Sequence, residues 1–498
     1  MKSRSLWLET VPPEFPALRG SLEVDTLIVG GGITGLTTAY LLLRAGKRVA
    51  VVEQNTIGGG DTGHTTAHVT FVTDSRLGDL VKRVGEERAR ALWEAGSLAM
   101  AEIEGICHDL AISCDLRRVP GYLFAAADRD AGRERESLAE DARLAVEFGF
   151  NAELIPEAPV FRRPAIHFPN QLKFHPIKYL NALAAAVAEG GHLFAGTSGS
   201  EVDADKHELR TENGVIHYNS LVAATHVPIQ GERGTFSAAL FQTKLAGYSS
   251  YAIEAGVDPA DEGLFWDTAD PYLYARIDRR REGGSVILGG EDHKTGTEPD
   301  TEACYERLTA ALKRWFPSAK VRHRWSGQVW ETPDGLPYIG ETVAGQYLAT
   351  GFAGNGMTLG TFGAMLIRDL IEGRAGTRSE AFAPSRKSLR GVIDYVRENA
   401  DFPAHFVRDH LRPVDGKGSA KRPKRGTGEL VKIDGRKQAV YVNPHGKRTV
   451  LSPICPHLGC VVQWNDAEQT WDCPCHGSRF AATGELLGGP AESGLSKA

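Results

Sequence analysis

Two short stretches near the end of the chain, "CPHLGC" (Cys455 to Cys460) and "CPCHGS" (Cys473 to Ser478), bring together four of its seven cysteines and two histidines. Thiolates and neutral imidazoles bind soft and borderline metals, and thiols also pair with one another. Three chemistries are therefore open to this segment: a disulfide scaffold, a zinc site or an iron–sulfur centre. The spacing runs Cys-x-His from Cys455, fifteen residues, then Cys-x-x-His from Cys473. Zinc with two cysteines and two histidines matches the ligand count but leaves Cys460 and Cys475 without a role. Cys107, Cys114 and Cys304 lie scattered and read as buried or inert.

A second set of chemical residues opens the chain. In "VDTLIVGGGITGLTTAYLLLRAGKRVAVVE" (Val24 to Glu53), an apolar run (Leu27 to Val29) reads as a buried strand, Ile33 to Arg44 as a helix and Val49 to Val52 as the next strand. Gly30 permits the tight turn, Gly32 lets backbone approach a pyrophosphate, and Gly35 lets helix pack closely on strand. Glu53 stands where a carboxylate accepts hydrogen bonds from a ribose 2′-hydroxyl, which disfavours a 2′-phosphate. The fingerprint predicts a dinucleotide without choosing FAD over NAD. Further along, strand alternation in "DPYLYARI" sets Tyr272, Tyr274 and Arg276 on one face, a candidate clamp for a carboxylate. His226 and the "GGEDHKTG" turn (Gly289 to Gly296) are further candidates. No residue stands out as a general base, and hydride transfer from a neutral amine needs orientation and a dry site more than proton abstraction.

"GGGDTGHTTAHVT" (Gly58 to Thr70) resembles the loop and helix of the D-amino-acid oxidase, sarcosine oxidase and glycine oxidase superfamily. "FHPIKYLNALAAAVAEGG", "SLVAATHVP" and "TPDGLPYIGE" with "YLATGFAGNGMTLGTFGAMLIRDLI" extend that resemblance over most of the first 375 residues. It implies FAD, with contacts at Thr62, His64, Thr65 and Thr66. It also implies a helix N-terminus at Gly354, Asn355, Gly356, Met357 and Thr358, facing the pyrimidine end of the isoalloxazine. His64 holds the position of the flavin-linked histidine of dimethylglycine and sarcosine dehydrogenases, although the tryptophan of that motif is Gly63 here. The terminal clusters resemble those of Rieske [2Fe–2S] proteins. That resemblance implies Cys455 and Cys473 on one iron, His457 and His476 on the other, and a disulfide between Cys460 and Cys475. Ser478 matches a hydroxyl donor to cluster sulfide, while the tyrosine donor of high-potential members is Phe480.

These groups need a scaffold, and 498 residues of ordinary globular composition allow two or three packed units. A net charge of −6 argues against nucleic acid or an anionic membrane as the main partner. With no export signal and no long apolar span, we expect a soluble, cytoplasmic protein in which a disulfide would be a local exception. The expected fold is an α/β, Rossmann-like FAD-binding domain with an interleaved mixed β-sheet substrate domain (residues 1–380), plus a small all-β Rieske domain (426–498). The Rieske strands are read from "GELVKI", "QAVYVN", "TVLSPI" and "CVVQW". Residues 381–425 read as a connecting helix ("SRKSLRGVIDYVREN") and a basic linker within "RPVDGKGSAKRPKRGTG". The expected function is oxidation of a small-molecule amine or amino acid, with electrons passing from FAD to the cluster and on to an external acceptor. An NADH-linked reductase and a non-catalytic redox relay are the alternatives, and an oligomer is possible.

Overall fold

The run Leu27–Val29 ends a strand, Gly20–Val29, and both it and Val49–Val52 are so apolar that they can only lie in the interior. They pair in parallel with each other, as an α/β crossover requires, and Gly20–Val29 pairs in parallel on its other side with Gly214–Ala223. The computed structural model describes residues 3–228, 244–258, 261–279, 283–386 and 423–498. Among these, the first sheet runs in the order Tyr338–Val343, Gln346–Thr350, Gly214–Ala223, Gly20–Val29, Val49–Val52 and His192–Phe194. The helices Ile33–Arg44, Pro176–Gly190 and Gly356–Ile371 pack about it.

Chain that leaves this sheet builds a second, mixed one. Its order is Lys320–Glu331, Ala246–Val257, Gly284–Lys294, Tyr274–Arg279, Gly263–Asp267, Arg117–Phe124, Ala165–Lys173 and His68–Val69. Helix Thr301–Trp315 closes one of its faces, burying Cys304, Tyr305, Leu308 and Leu312 against Tyr251, Phe265 and Ile277. The two sheets thus alternate along the chain, as the interleaved reading expects. No helix among the described residues is long and apolar enough to cross a membrane.

The C-terminal unit is two small antiparallel sheets. One holds Thr427–Ile433, Arg436–Val442 and Arg448–Leu451; the other holds Gln463–Asn465, Thr470–Asp472, Arg479–Ala481 and Leu486–Gly488. Trp471 and Phe480 face each other across one strand pair in its core. Gly428 lies beneath the Trp464 indole, where an added Cβ would come within 2.4 Å of the ring. The expected connecting helix beyond Arg386, and the linker as far as residue 422, fall outside the described residues.

One buried ion pair explains why "TPDGLPY" carries an aspartate. Asp334 and Arg386 have side chains only 3% and 2% exposed and meet at 2.8 Å. The guanidinium also donates to Pro337 O at 2.9 Å and lies 4.0 Å over the Tyr338 ring. Burial would raise the Asp334 pKa, but Arg386 and the Leu336 N–H bring it below the ordinary value of 3.8. The pair's contribution is therefore complete above that value and is lost as the pH falls beneath it. Asp334→Ala strands a buried guanidinium and should cost about 3–5 kcal/mol, read as a lower urea midpoint for the flavin unit.

Candidate active site and cluster site

The glycine turn is a place where backbone meets backbone. An ideal Cβ on Gly35 would stand 1.9 Å from Gly30 O, and one on Gly30, whose φ is +114°, would stand 2.4 Å from Ala224 O. Only glycine fits either position. The helix that follows has Gly32 at its N-cap and no side-chain cap, so its first-turn amides face the turn. Glu53 accepts from Gly31 N and Asn55 N, each at 2.8 Å, and Thr62 Oγ1 accepts from Ile33 N at 3.3 Å. A cradle that any side chain would fill, at an uncapped helix start, fits a dinucleotide pyrophosphate.

Within the stretch that resembles a loop and helix, residues Asp61–His64 form one turn of 3-10 helix. His64 Nδ1 donates to Gly60 O at 2.9 Å, and its carbonyl accepts from Trp325 Nε1 at 2.7 Å. Thr65 Oγ1 accepts from Ala67 N, and Thr66 Oγ1 meets His68 Nδ1. At the other helix start, Asn355 is the N-cap without a side-chain cap bond. Asn355 Nδ2 donates to Val72 O and Thr358 Oγ1 to Thr70 O, so these side chains brace the turn while Gly356 and the buried Met357 begin the helix. Gly354 N donates to Asp74 Oδ2 at 2.6 Å.

The substrate face differs from expectation. Tyr272 donates to Asp74 Oδ1 at 3.0 Å, Tyr274 Oη lies 2.6 Å from Ser250 Oγ, and the two rings are 5.4 Å apart. Gly289 leaves the space that the Tyr274 ring occupies, since a Cβ there would lie 2.3 Å from it. Arg276 does not join a carboxylate clamp. It is 4% exposed, donates to Phe174 O at 2.8 Å and to Asp278 at 3.2 Å, and lies 5.1 Å from the Trp7 ring centre. Its strand runs through the middle of the sheet, where a cation must be neutralised by neighbours; Asp278 serves both it and the buried Lys173. "GGEDHKTG" is mostly not a turn either. It continues strand Gly284–Lys294 with a bulge opposite Ser249 and Tyr251, Glu291 having φ +61°.

That bulge delivers Asp292. Burial pushes its carboxyl up to about 7; the Ser250 hydroxyl opposes this, and nearby Asp74 and Glu291 add to it. Burial likewise raises Asp74 against its bonds from Gly354 and Tyr272. His226 belongs elsewhere, with Nδ1 2.8 Å from Asp61 Oδ2 and its ring edge-on to Trp330. Burial would raise Asp61, yet the His226 charge and hydrogen bond and the Gln328 N–H lower it to about 2. Sequence reasoning missed Asp61, Asp74, Ser250, Gln328 and Trp330, which carry no local pattern; Asp292 lay inside the candidate stretch read as a turn.

At the C-terminus the two clusters are one turn used twice. Cys455 N donates to Cys460 O and Gly459 N to Cys455 O; likewise Cys473 N donates to Ser478 O and Gly477 N to Cys473 O. Gly459 and Gly477 take the positive φ that each turn needs, +80° and +71°. The turns are joined by a Cys460–Cys475 disulfide. Cys455 and Cys473 are each 1% exposed and hydrogen-bonded to each other. That bond lowers the Cys455 thiol to about 7 against burial, with help from the His457 and Leu458 amides and the Ser478 hydroxyl. The His457 and His476 rings stand 4.9 Å apart, and burial holds both neutral, with pKa values near 4. Two adjacent thiols and two adjacent neutral imidazoles are the donor set of a histidine-ligated [2Fe–2S] centre.

Comparison with known proteins agrees. Residues 25–370 match the FAD dependent oxidoreductase family (DAO), and residues 418–498 the Rieske [2Fe-2S] domain. The Bacillus subtilis protein YhfW, itself named for a Rieske 2Fe-2S centre, is 31% identical over 490 residues, covering 96% of this chain and 94% of its own. Escherichia coli gamma-glutamylputrescine oxidoreductase is 26% identical over 440 residues, covering 80% and 95%. L-proline dehydrogenase from P. horikoshii superposes with a TM-score of 0.60 at 17% identity, over 74% of this chain and 98% of that one. Glycine oxidase from Geobacillus kaustophilus gives 0.58 at 19%, over 74% and 99%. Reduced protein should show a rhombic [2Fe–2S] EPR signal that His457→Ala or His476→Ala abolishes; stoichiometric zinc with little iron would contradict the assignment. Ser478→Ala should lower the cluster potential and Phe480→Tyr raise it, because hydrogen bonds to cluster sulfur favour the added electron.

Proposed function

This chain belongs to the FAD dependent oxidoreductase family and ends in a Rieske domain; from that premise we propose that it dehydrogenates a cationic amine and sends the electrons through its own cluster to an external one-electron acceptor. Gly30, Gly32, Gly35, Glu53 and Thr62 would hold the FAD pyrophosphate and ribose, and the helix start at Gly354 to Thr358 the flavin end. Cys455, Cys473, His457 and His476 would hold the cluster. Bound FAD supplies acceptance of a hydride from the carbon next to nitrogen, and the cluster supplies single-electron transfer.

The observation that carries the substrate reading is the chemistry of the face beside Gly354. Arg276 is committed within the sheet, so the guanidinium that would recognise a carboxylate is spent there. What converges instead is two phenols, Tyr272 and Tyr274, and two carboxyls, Asp74 and Asp292. Such a set suits an ammonium, with the aromatic rings covering its methylenes. Asp292 would hold a distal ammonium, leaving the reacting nitrogen neutral and oriented by the hydroxyls. The name of the E. coli relative, which refers to a putrescine derivative, supports this direction.

Mixed anaerobically with protein, diamines and primary amines should bleach the flavin absorbance, and α-amino acids should not. Bleaching by amino acids alone would sink the reading. Asp292 gains its charge as the pH rises through about 7, so the apparent KM for a diamine should fall between about pH 6 and about pH 8. Asp292→Asn should remove that pH dependence and raise KM by roughly tenfold to a hundredfold, the worth of a charge-assisted hydrogen bond of about 1.5–3 kcal/mol.

A further inference from the structure

The two ligand turns are built alike but are not equally exposed. His476 is 5% exposed, and its turn is covered by the flavin unit. The turn of His457 is open, with Ile454 39% and Leu458 44% exposed. What covers the second turn is specific. Gln328, itself 5% exposed, donates from its backbone N to Asp61 Oδ1 at 2.8 Å and from Nε2 to Gly477 O at 2.6 Å. Gly477 directly follows His476, and a Cβ on it would lie 3.0 Å from both Gln328 Nε2 and the Trp330 ring. Trp330 in turn meets His226 edge-on, with ring centres 6.3 Å apart. Two short links, Asp61–Gln328–Gly477 and His226–Trp330–Gly477, therefore join the dinucleotide side of the flavin unit to the His476 turn. Thr62, next to Asp61, is the residue that accepts from Ile33 N at the phosphate-facing helix start.

The same face is latched at its edge. The tip of the hairpin between Gln463–Asn465 and Thr470–Asp472 inserts Ala467 into the core beneath helix Thr301–Trp315. Ala467 N donates to Thr301 Oγ1 at 3.2 Å, and Glu468 accepts from Tyr305 at 2.6 Å and from Ser3 at 2.9 Å. Close by, a Cβ on Gly296 would stand 2.9 Å from Asp472 O, so backbone touches backbone there as well.

We infer that the Rieske domain docks on its own flavin unit, that His476 is the side by which electrons enter the cluster, and that Gln328 is the positioning residue for this transfer. The inference rests on the reading that electrons pass from flavin to cluster. Substrate oxidation delivers two electrons, but the metal pair held by Cys455, Cys473, His457 and His476 can keep only one. The first must leave to an external one-electron acceptor before the second enters, and the accompanying protons go to solvent. The open His457 turn is left for departure.

Two measurements on the full-length holoprotein test this. In Thr301→Cys/Ala467→Cys, mild oxidation should give an intrachain cross-link; a covalent dimer, or no link, would overturn docking in cis. Flash photoreduction of the bound flavin, followed by the reduced-cluster spectrum, reads transfer without needing the substrate. Gln328→Met keeps the volume and removes the side-chain donor. It should slow cluster reduction at least tenfold while the flavin spectrum, the cluster EPR signal and the cross-link formed in the double-cysteine background persist. Transfer at the unmodified rate in Gln328→Met overturns the role of Gln328 alone. A cluster that stays oxidised in the unmodified protein while its flavin is reduced overturns the electron-transfer reading beneath it.

Discussion

The closest backbone constraint among the described residues is the crossing of Gly30 and Gly35, where helix and turn approach until a single methyl group would overlap a carbonyl oxygen. Everything at the cofactor side is referred to that contact. It brings the first strand and helix together, sets Ala224 at the end of the neighbouring strand against the turn, and so fixes where His226 emerges. The loop after Val52 then folds back with Thr62 bonded to the helix start and Asp61 beside it. Glycine's lack of a side chain is a cost in the unfolded ensemble, and here it is offset by the density of the contacts it allows.

Around this point, buried charge does much of the positioning. Lys173, Glu262, Arg276 and Asp278 form a neutralised cluster within the second sheet, and Asp334 with Arg386 forms another beside Tyr338, at the start of strand Tyr338–Val343. Each holds a surface in one arrangement, because losing one partner would leave a charge stranded in a medium that cannot solvate it. Asp74 and Asp292 are different in kind, since no cation is paired with them among the described contacts and burial has raised both.

How far the sequence could be read follows the range of the interactions. The Gly30, Gly32 and Gly35 turn and the paired Cys–His turns are local, each complete within a few residues, and both were legible by type and spacing. The interleaving of two sheets was legible through family resemblance. Thr470–Asp472, Arg479–Ala481 and Leu486–Gly488 were not, because three-residue strands are too short to display alternation. Arg276 misled for another reason: alternation assigns a residue to a face without saying whether that face is a wall or a cavity. Asp61, Asp74 and Gln328 act only through partners far away in the chain, so nothing nearby in sequence marks them.

The hairpin tip at Ala467 bears on how this architecture can change. It seats the small domain through Ala467 and Glu468, which lie outside both ligand turns and add a second fastening to the Gln328 contact with Gly477. Lengthening or trimming that tip would tilt the cluster toward or away from the flavin while leaving "CPHLGC" and "CPCHGS" untouched. A lineage could therefore retune how the small domain sits on the large one by adding or deleting a residue or two at a loop end, with both ligand turns inherited whole.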